Sequence, residues 1–583
     1  MKEMRFLVVL ISLVITLHSN ASKNSEYNPY HYDFCVDGLY YQYATDEWGD
    51  VTKDKVRLCS IGDPSVYSGV IEIPESVEYD GITSIVVDAG YDTFKGCVLE
   101  KVVFPSTISY ISGFYEASVK EVVIPEGAEY IGQSAFQGCK NLKTLHLPKS
   151  IKNIESNAFA DCDIEEINFE NIEYIGGGAF SGSNLKNADL SKLKGAYVEL
   201  GVLEEGLLPT DVFNQCENLE NVILSEAITV IDGWAFRECE NLTKVEMPSV
   251  IDIWGMAFYQ CSNLSDVDLS NVQTIGEAAF YECSNLSEID FYNVQTIGKN
   301  AFYKANGLTE ITFYENLKEV GKEAFAFCEN LKRVDMSRVY CDDYKYQLKI
   351  DEKCFYYCSN LEEVLFSETT ASIGYRAFDY TSLEILELPE GLRFFGEDFI
   401  SNPEPKPGLC VMKNLKSFIF PISCFKNYPH RASCFAADFT ASEELVDIVA
   451  KFVDPSQWQL IHTTFNPLTY EKATLRVPVG TADLYRQCDG WKEFKNIVED
   501  PNVFSGVEEV QSETEDIAID GRCLRVNGDT DVYIKIYDIS GKCALAVQTV
   551  NGVADLSDLS SGLYIAVAKS SKGNATKKFI LHD

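Results

Sequence analysis

The chain has 583 residues and a formal net charge of −40 at pH 7. This charge excludes nucleic acids and anionic membrane surfaces as partners, because both would be repelled, and it favours basic or metal-bridged partners. A chain of this length is also long for a single compact core, a limit that a repeat array does not have.

Residues 1–22 have the pattern of a secretory signal. Lys2 and Arg5 precede an apolar run over 6–17, and Ser19-Asn20-Ala21 forms a cleavage site of small residues. The run is too short for a stable membrane anchor, and no cysteine follows the cleavage site directly. The pattern predicts a secreted protein.

Residues 23–90 are rich in Tyr, Val and Gly, and we interpret them as a β-rich cap that shields the first repeat. The stretches 40–43 and 69–74 are typical of short strands between turns. Cys35 and Cys59 could form a disulfide bridge within this cap, which is plausible outside the cytosol.

Residues 91–425 repeat one phrase. Its phenylalanines lie 22 residues apart at Phe236, Phe258, Phe280 and Phe302. A fixed period in this range is the signature of a solenoid. Val267 and Leu269 alternate as in a strand with one buried face, whereas the stretch 275–280 is too short for a regular helix. We therefore predict an α/β-type repeat solenoid, with a parallel sheet on one face and turns or short 3₁₀ segments on the other.

Nine cysteines fall three residues after the repeat Phe or its equivalent. They are Cys97, Cys139, Cys162, Cys216, Cys239, Cys261, Cys283, Cys328 and Cys358. A position repeated in register faces the same way in every repeat, and free Cys is a small, commonly buried residue. Ser183, Ala305 and Thr381 replace it elsewhere, which favours packing over a metal site or a bridge.

Two repeats are longer than the others, with extra residues near 195–208 and 338–348. Insertions in a repeat array form loops on one face and often carry binding residues. The second insertion places Tyr344 and Tyr346 next to acidic residues, which makes both candidates for ligand binding.

The period ends near residue 425. We interpret 426–499 as a C-terminal cap, with a helix over 442–452 and an aromatic plug that includes Trp491 and Phe494. Residues 500–516 are acidic and poor in apolar side chains, as in a linker. Residues 517–583 alternate apolar and polar side chains between turns, which predicts a small antiparallel β-sandwich.

The repeated phrase I-G-x-x-A-F-x-x-C-x-N-L-x-x-V-x-L resembles the BspA-type leucine-rich repeat of Bacteroidetes surface proteins. The C-terminal phrases I-Y-D-I-S-G-K, L-S-S-G-L-Y and K-K-F-I resemble the sorting domain of the type IX secretion system. These resemblances imply export across the outer membrane through contacts of 517–583 with the secretion machinery. They also imply attachment to host matrix proteins or to other microbes.

We find no catalytic motif in the sequence. The nucleophile elbow, the zinc-protease motif, the Walker A loop and the dinucleotide fingerprint are all absent, and the six histidines share no pattern. The sequence therefore predicts neither an enzyme nor a cofactor.

One candidate binding surface follows from the strand alternation. The residue between the two apolar strand positions should face solvent, and in the middle repeats it is mostly acidic. The predicted ligand-binding residues, at this position and two residues before it, are Glu246, Asp266, Asp268, Glu288, Asp290, Glu310 and Asp335. The plain interpretation is a solvated acidic face; the functional one is a site for a basic protein or for Ca²⁺, the latter at Asp266, Asp268, Glu288 and Asp290.

These observations favour a protein-interaction module, an adhesin in particular. The alternative is a glycan-capture protein of a surface nutrient-uptake system, in which exposed rings stack on sugars. Candidates for that role are Tyr259, Tyr281, Tyr292, Tyr303 and Tyr314. Packing is the more common reason for rings at repeat positions. A purely structural role in surface assembly is a further possibility.

Overall fold

The computed structural model describes residues 30–45, 50–198, 202–340, 347–389, 392, 394–395, 408–409, 411–421, 437–457, 464–503, 517–520, 522–526, 531–538, 543–550, 553–557, 559, 562–570 and 573–581. The predicted signal at 1–22, Tyr344, Tyr346 and most of the predicted linker lie outside these residues. No helix in the described part of the chain is long and apolar enough to cross a membrane.

Most repeats contribute one strand to a parallel ladder, here called the first ladder. Val267 and Leu269 are 7% and 1% exposed and point into the core, while Asp266 and Asp268 are exposed. This confirms the predicted parallel sheet with one buried face. The strands are Ser68–Glu72, Val98–Val103, Ser118–Val123, Thr144–Leu145, Glu166–Ile167, Asn187–Leu190, Asn221–Leu224, Lys244–Glu246, Asp266–Val267, Glu310–Thr312, Arg333–Asp335, Glu363–Leu365, Ile385–Glu387, Ser417–Phe420, Asp447–Ala450, Thr474–Val477 and Asn496–Glu499.

A second parallel ladder precedes the repeat phenylalanines, where the sequence predicted only a turn. Its strands are Tyr110–Ile111, Tyr130–Ile131, Asn153–Ile154, Tyr174–Gly176, Gly195–Tyr197, Leu207–Leu208, Val230–Ile231, Asp252–Ile253, Thr274–Ile275, Thr296–Ile297, Glu319–Val320, Lys349–Ile350, Ser372–Ile373 and Phe394–Phe395. Leu203–Glu205 folds back on Gly195–Tyr197 as an antiparallel hairpin, so the first predicted insertion is a hairpin on this ladder. Gly408–Leu409 and Ala437–Asp438 form a separate parallel pair.

One full repeat of the solenoid is here called a coil. Two sides of each coil are the ladder strands, and the third side is the tight turn around the repeat Phe. The residues two before and two after the Phe are left-handed, as at Trp234 and Glu238 with φ of 63° and 59°. A non-glycine residue loses about 1 kcal/mol in this conformation. Hydrogen bonds to the next coil offset this cost, since the N–H of Phe236 donates to the Ala257 oxygen at 2.8 Å. The predicted turns are confirmed.

The core is a stack of phenylalanine rings and cysteine side chains. Neighbouring repeat rings lie 5.0 to 5.6 Å apart and nearly parallel from Phe114 to Phe378. The nine repeat cysteines are all buried with free thiols, so the predicted packing role is confirmed. Ser183, Ala305 and Thr381 are buried at the same position.

The glycine of the Ile-Gly step is required by the close approach of successive coils. A Cβ on Gly276 would lie 2.7 Å from the Gly255 nitrogen, and one on Gly298 would lie 2.6 Å from the Gly276 carbonyl carbon. Because both contacts are with backbone, no side-chain rearrangement relieves them. The spacing of the coils therefore depends on these glycines.

The N-terminal segment forms a five-stranded sheet in the order Phe34–Val36, Leu39–Thr45, Val51–Leu58, Ile82–Ala89, Ser76–Tyr79. Phe34 and Tyr79 stack at 4.4 Å, which joins its two outer strands. The considered disulfide is not formed, because Cys35 is exposed and Cys59 is buried, each with a free thiol. The strands predicted near 40–43 and 69–74 are confirmed.

The first ladder continues past residue 425, and the helix predicted over 442–452 is wrong. Asp447–Ala450 is a strand that pairs in parallel with Ser417–Phe420 and Thr474–Val477. Leu445, Ile448 and Ala450 have the same spacing as Leu264, Val267 and Leu269, and all are buried. This spacing belongs to the repeat, and it was mistaken for a helical stripe.

The last coil is closed by short helices. They are Pro455–Gln457 and Trp491–Glu493, which are 3₁₀, and Pro467–Lys472 and Ala482–Gln487, which are α. Trp491 is fully buried and lies 5.4 Å from the rings of both Phe420 and Phe452. The predicted aromatic plug is therefore present at this end of the core.

The C-terminal segment forms two antiparallel sheets, as predicted. One contains Ile517–Asp520, Cys523–Val526 and Val553–Asp555, and the other Cys543–Val550, Asp531–Asp538, Gly562–Ser570 and Gly573–Leu581. Leu524, Ile534 and Leu556 are buried between them, in a core separate from that of the repeats.

Candidate ligand-binding surfaces

Ion pairs between neighbouring coils neutralise many of the charges on the outer face of the first ladder. In this ladder, side chains at the same position of adjacent strands lie about 5 Å apart, so opposite charges attract and like charges repel. The pairs are Lys101–Glu121 at 2.7 Å, Lys143–Glu165 at 3.0 Å, Lys244–Asp266 at 3.5 Å and Arg333–Glu363 at 2.5 Å.

Four carboxylates between Lys244 and Arg333 depart from this pattern. They are Asp268, Glu288, Asp290 and Glu310, here called the acidic strand surface. All four are exposed, and none has an ion-pair partner within the described ranges. Four of the predicted residues are therefore exposed and without an ion pair in three successive coils.

Two of these side chains are held in place by backbone contacts. The N–H of Ser270 donates to Asp268 Oδ1, and the N–H of Tyr292 donates to Asp290 Oδ1, each at 2.9 Å. The second carboxylate oxygen of each residue is left for an external donor. Such local bonds fix the direction of a short acidic side chain without neutralising its charge.

Glu246, Asp266 and Asp335 were predicted for the same surface but are engaged elsewhere. Lys244 contacts Glu246 at 3.0 Å and Asp266 at 3.5 Å. Asp335 is only 8% exposed, so the prediction that it faces solvent is wrong. Arg333 and Ser337 hold it at 3.0 and 2.6 Å.

The pKa of Asp335 reflects these contacts. Burial alone would raise the pKa, but hydrogen bonds from the hydroxyl and N–H of Ser337, together with the charge of Arg333, hold it below its ordinary value. The carboxylate is thus a stabilising, internally neutralised group.

The Ca²⁺ interpretation finds no preformed cage. In the described segments, no group of three or more His, Cys, Asp or Glu side chains is close enough to hold a metal ion. Ca²⁺ takes six to eight oxygen ligands, so residues spread along one face would each supply only one or two. Asp266, Asp268, Glu288 and Asp290 therefore stay unassigned as metal ligands.

The rim beside the acidic strand surface carries aromatic side chains. Tyr292 is 50% exposed and meets Tyr314 at 5.3 Å in an edge-to-face contact. The guanidinium of Arg338 lies 5.6 Å from the Tyr314 ring. This rim places an exposed ring two residues after Asp290 in the chain.

A second, larger aromatic feature lies on the turn side of the coils. Six rings make one continuous stack across six coils, here called the aromatic strip: Tyr259, Tyr281, Tyr303, Phe327, Tyr357 and Tyr380. Successive ring centres are 4.5 to 5.2 Å apart.

The sequence revealed only half of the aromatic strip. Tyr259, Tyr281 and Tyr303 follow the repeat Phe by one residue, whereas Phe327, Tyr357 and Tyr380 follow it by two. Because of this shift, a comparison of one repeat position across the coils does not reveal all six rings. Because the face of each stacked ring is covered by its neighbours, the first three tyrosines offer ring edges and hydroxyl groups, rather than flat faces, to a sugar.

Comparison with protein families decides what the repeats are. The model of the BspA-type leucine-rich repeat region matches in six copies over residues 112–197, 207–332 and 292–405. The chain belongs to the BspA-type leucine-rich repeat proteins. Residues 517–582 match the secretion system C-terminal sorting domain. This BspA-type protein is therefore exported to the cell surface or secreted, and neither matching family indicates a catalytic domain.

Similar folds occur among solved structures. A leucine-rich repeat protein from Bacteroides ovatus is 24% identical, with 72% of this chain and 94% of that chain covered and a TM-score of 0.49. A leucine-rich cell surface protein from Faecalibacterium prausnitzii is 16% identical, covering 78% and 96% with a TM-score of 0.36. Pneumococcal vaccine antigen PcpA is 16% identical, covering 80% and 98% with a TM-score of 0.33. The comparison with curated proteins gave no match.

Proposed function

We propose that this BspA-type protein is an adhesin-like binding module, not an enzyme, and that the acidic strand surface contacts a basic segment of a partner protein. The partner is a host matrix protein or a protein of another microbial surface. Repeat solenoids present extended faces for binding, and the sorting domain supplies the route to the surface.

The observation that carries this proposal is a run of four exposed acids without an ion-pair partner in three successive coils. Acids such as Glu121, Glu165 and Glu363 have a cation within 3.0 Å, whereas Glu100 and Asp189 are exposed acids without one elsewhere on the ladder. At Asp268, Glu288, Asp290 and Glu310 the described structure provides none. A basic partner that neutralises these exposed carboxylates is attracted to this surface.

The experiment is direct binding of the mature chain, residues 23–583, to immobilised matrix proteins and glycans at low and high salt, with and without Ca²⁺. We expect binding to a protein that weakens as ionic strength rises from about 0.05 to 0.5 M, because added ions screen exposed charges. Binding to a protein with an affinity that does not change with ionic strength would contradict the role of the acidic strand surface.

A second candidate function, glycan capture, is favoured by the position of Tyr292. This half-exposed ring follows Asp290, so a sugar could stack on the ring while its hydroxyl groups donate to the carboxylate. Binding confined to a glycan, insensitive to salt and lost in Tyr292→Ala, would support it. Tyr281→Ala, whose ring lies in the aromatic strip, is the matched control and should retain glycan binding.

A further inference from the structure

Tyrosines are concentrated in the first part of the second ladder. This ladder consists of two sheets, and the first, of six strands, contains four of them: Tyr110, Tyr130, Tyr174 and Tyr197. The nine described strands of the other sheet contain none. Each tyrosine is partly exposed, and its neighbour in the strand is buried in the core: Ile111, Ile131, Ile175 and Ala196. The tyrosines therefore lie on the outer face of this sheet, here called the tyrosine face.

Two polar side chains lie among these rings, near the centre of the sheet. Asn153 pairs in register with Tyr130 on one side and with Tyr174 on the other. Since neighbouring strands are about 4.8 Å apart, the two tyrosines stand about 10 Å apart with Asn153 between them. Glu155 lies on the same face, because Ile154 between the two polar residues is fully buried in the core. Asn153 and Glu155 are each only 9% exposed.

The carboxylate of Glu155 is held by two donors at one of its oxygens. The hydroxyl of Tyr110 donates to Oε2 at 2.6 Å, and the N–H of Gln133 donates to the same oxygen at 3.0 Å. Burial and the bond to Glu155 raise the pKa of Tyr110, so its hydroxyl remains a donor near neutral pH. Tyr197 also raises this pKa, which indicates that its hydroxyl is close. The other oxygen, Oε1, has no partner among the described residues.

A glycine lets the Tyr110 ring reach this carboxylate. A Cβ on Gly132 would overlap the ring and hydroxyl of Tyr110, so only a residue without a side chain allows the ring to cross this strand. The ring thus rests on backbone, while the residue stays partly exposed. A ring that is fixed before binding loses little conformational entropy when a ligand stacks on it.

The carboxamide of Asn153 makes no hydrogen bond within the described part of the chain. Its backbone N–H donates to the Glu129 oxygen at 3.4 Å, but its side chain has no such contact. Burying an amide group without a partner is unfavourable, and this one gains a partner only from outside the protein. The small part of Asn153 that remains exposed lies on the outer face, where a ligand can reach it.

The free hydrogen-bonding atoms select a hydroxylated ligand. Oε1 of Glu155 and Oδ1 of Asn153 are acceptors, and Nδ2 of Asn153 is a donor. An ammonium group uses only acceptors and an anion uses only donors, whereas a sugar hydroxyl both donates and accepts. The C–H side of a sugar ring also packs well on aromatic rings. From these observations we propose that the tyrosine face binds a neutral oligosaccharide, with sugar hydroxyl groups on Glu155 and Asn153 and sugar rings against the tyrosines.

The pairing of the strands argues against an extended peptide, whose amides also donate and accept. Peptides of this kind are commonly captured by adding a strand to an open sheet edge. The strands that carry Tyr130, Asn153, Tyr174 and Tyr197 are paired on both sides, so this face offers side chains and no open edge.

The first insertion closes one end of the tyrosine face. Leu203–Glu205 pairs with Gly195–Tyr197 as the last strand of the sheet, and Leu207–Leu208 already belongs to the other sheet. The five strands from Tyr110 to Tyr197 span about 19 Å, which suits a short oligosaccharide better than a single sugar. Insertions in repeat arrays often carry binding residues, and this one contributes Tyr197.

The test is isothermal titration calorimetry of the mature chain, residues 23–583, with neutral pentasaccharides of glucose, mannose, xylose, galactose and N-acetylglucosamine. We expect at least one to bind with a dissociation constant below about 1 mM. Its affinity should change little between about 0.05 and 0.5 M salt, because the ligand carries no charge. Failure of all five would overturn the inference. Choline and penta-alanine are the control ligands, and binding of either in place of every sugar would overturn it as well.

Two substitutions locate the site. Asn153→Ala removes a carboxamide without an internal partner, so it should weaken sugar binding at least about tenfold without lowering the melting temperature. Glu155→Gln keeps an acceptor for Tyr110 and Gln133 but replaces the free acceptor by a donor, and should weaken binding by a similar factor. Tyr292→Ala, at an exposed ring beside the first ladder, is the control and should leave the affinity unchanged.

A sugar that binds the parent, Asn153→Ala and Glu155→Gln equally would overturn the inference. Loss of binding in Tyr292→Ala alone would do so too, because it would place the glycan beside the first ladder. None of these results bears on the acidic strand surface, whose test is salt-sensitive binding of a protein.

Discussion

The thiol of Cys261 donates a hydrogen bond to the carbonyl oxygen of Phe236 in the preceding coil, with 3.0 Å between sulfur and oxygen. The same bond joins Cys239 to Phe213 and Cys283 to Phe258. A repeat cysteine thus fills space in the core and supplies a donor to a buried carbonyl. This double role explains why a small, weakly polar residue recurs at that position.

We expect Cys261→Ala to lower the free energy of unfolding by about 1 to 2 kcal/mol, because sulfur volume and one buried donor are lost. The fold should survive, since Ala305 occupies the equivalent position fully buried. Chemical denaturation measures the change. Cys488→Ala, at a half-buried thiol in the closing segment, is the control, and an equal loss there would contradict the account.

Thiol reactivity should distinguish the buried repeat cysteines from an exposed cysteine. Burial raises the pKa of Cys261 well above its ordinary value, and the thiolate is the reactive species. We expect a maleimide to label the exposed Cys35 rapidly and Cys261 only after unfolding. Peptide mapping by mass spectrometry follows both sites in one sample. Equal labelling rates in the native protein would show that the core opens freely.

The left-handed backbone at the turn positions predicts that glycine is more stable there than alanine. Gln215 is exposed with φ of 60°. Alanine at this position keeps the steric cost of the left-handed conformation, whereas glycine does not. Gln215→Gly should therefore be about 1 kcal/mol more stable than Gln215→Ala by denaturant titration. The reverse order, which is the rule in helices, would contradict the assigned backbone.

The close approach of coils at the Ile-Gly step can be tested at Gly298. A Cβ there would lie 2.6 Å from the Gly276 carbonyl carbon and 2.7 Å from the Glu277 nitrogen. We expect Gly298→Ala to destabilise the protein by more than about 2 kcal/mol, as overpacking against backbone does. Gly90→Ala, whose nearest neighbours would be 3.5 Å away, is the control and should cost much less.

The ion pair at Asp335 predicts a dependence on pH. Its pKa is lowered in the folded state, so its contribution to stability is present above the unfolded pKa of about 3.9 and is lost as pH falls through the folded pKa. Asp335→Asn should therefore be less stable than the parent near neutral pH, with a difference that shrinks below about pH 4. Thermal melts across pH measure it. A difference that is constant down to low pH would contradict the pairing with Arg333.

Most of the fold could be predicted from the sequence because one residue pattern recurs. The Val267 and Leu269 alternation identified the first ladder, and the fixed Phe spacing identified the solenoid. The second ladder was missed because its strands, such as Thr274–Ile275, are two residues long and cannot show an alternation. The strand Asp447–Ala450 was mistaken for a helix because its flanking apolar residues also suit a helical stripe.

The candidate sites were less predictable, because they depend on contacts between coils. Alternation placed Asp268 and Asp335 on the same face, but only the structure shows that Arg333 draws Asp335 into an ion pair. The aromatic strip was half visible, since its ring position shifts by one residue between Tyr303 and Phe327. The repeat period predicts the backbone of one coil, whereas the ion pairs and ring contacts depend on which side chains lie at neighbouring positions of adjacent coils.

The central claim is that the acidic strand surface binds a basic partner, and a charge-matched comparison tests it most directly. One variant carries Asp268→Asn, Glu288→Gln, Asp290→Asn and Glu310→Gln; the control carries Glu100→Gln, Asp189→Asn, Glu217→Gln and Glu226→Gln, at exposed positions elsewhere. Both lose the same charge, and asparagine can still accept the bonds from Ser270, Tyr292 and Ser191.

Affinity of the mature chain and both variants is measured for the panel protein that binds the parent, at low salt. We predict a loss of at least about tenfold for the first variant and little change for the control, since a few clustered charges dominate such contacts. Equal affinity of all three proteins, with unchanged melting temperatures, would contradict the claim.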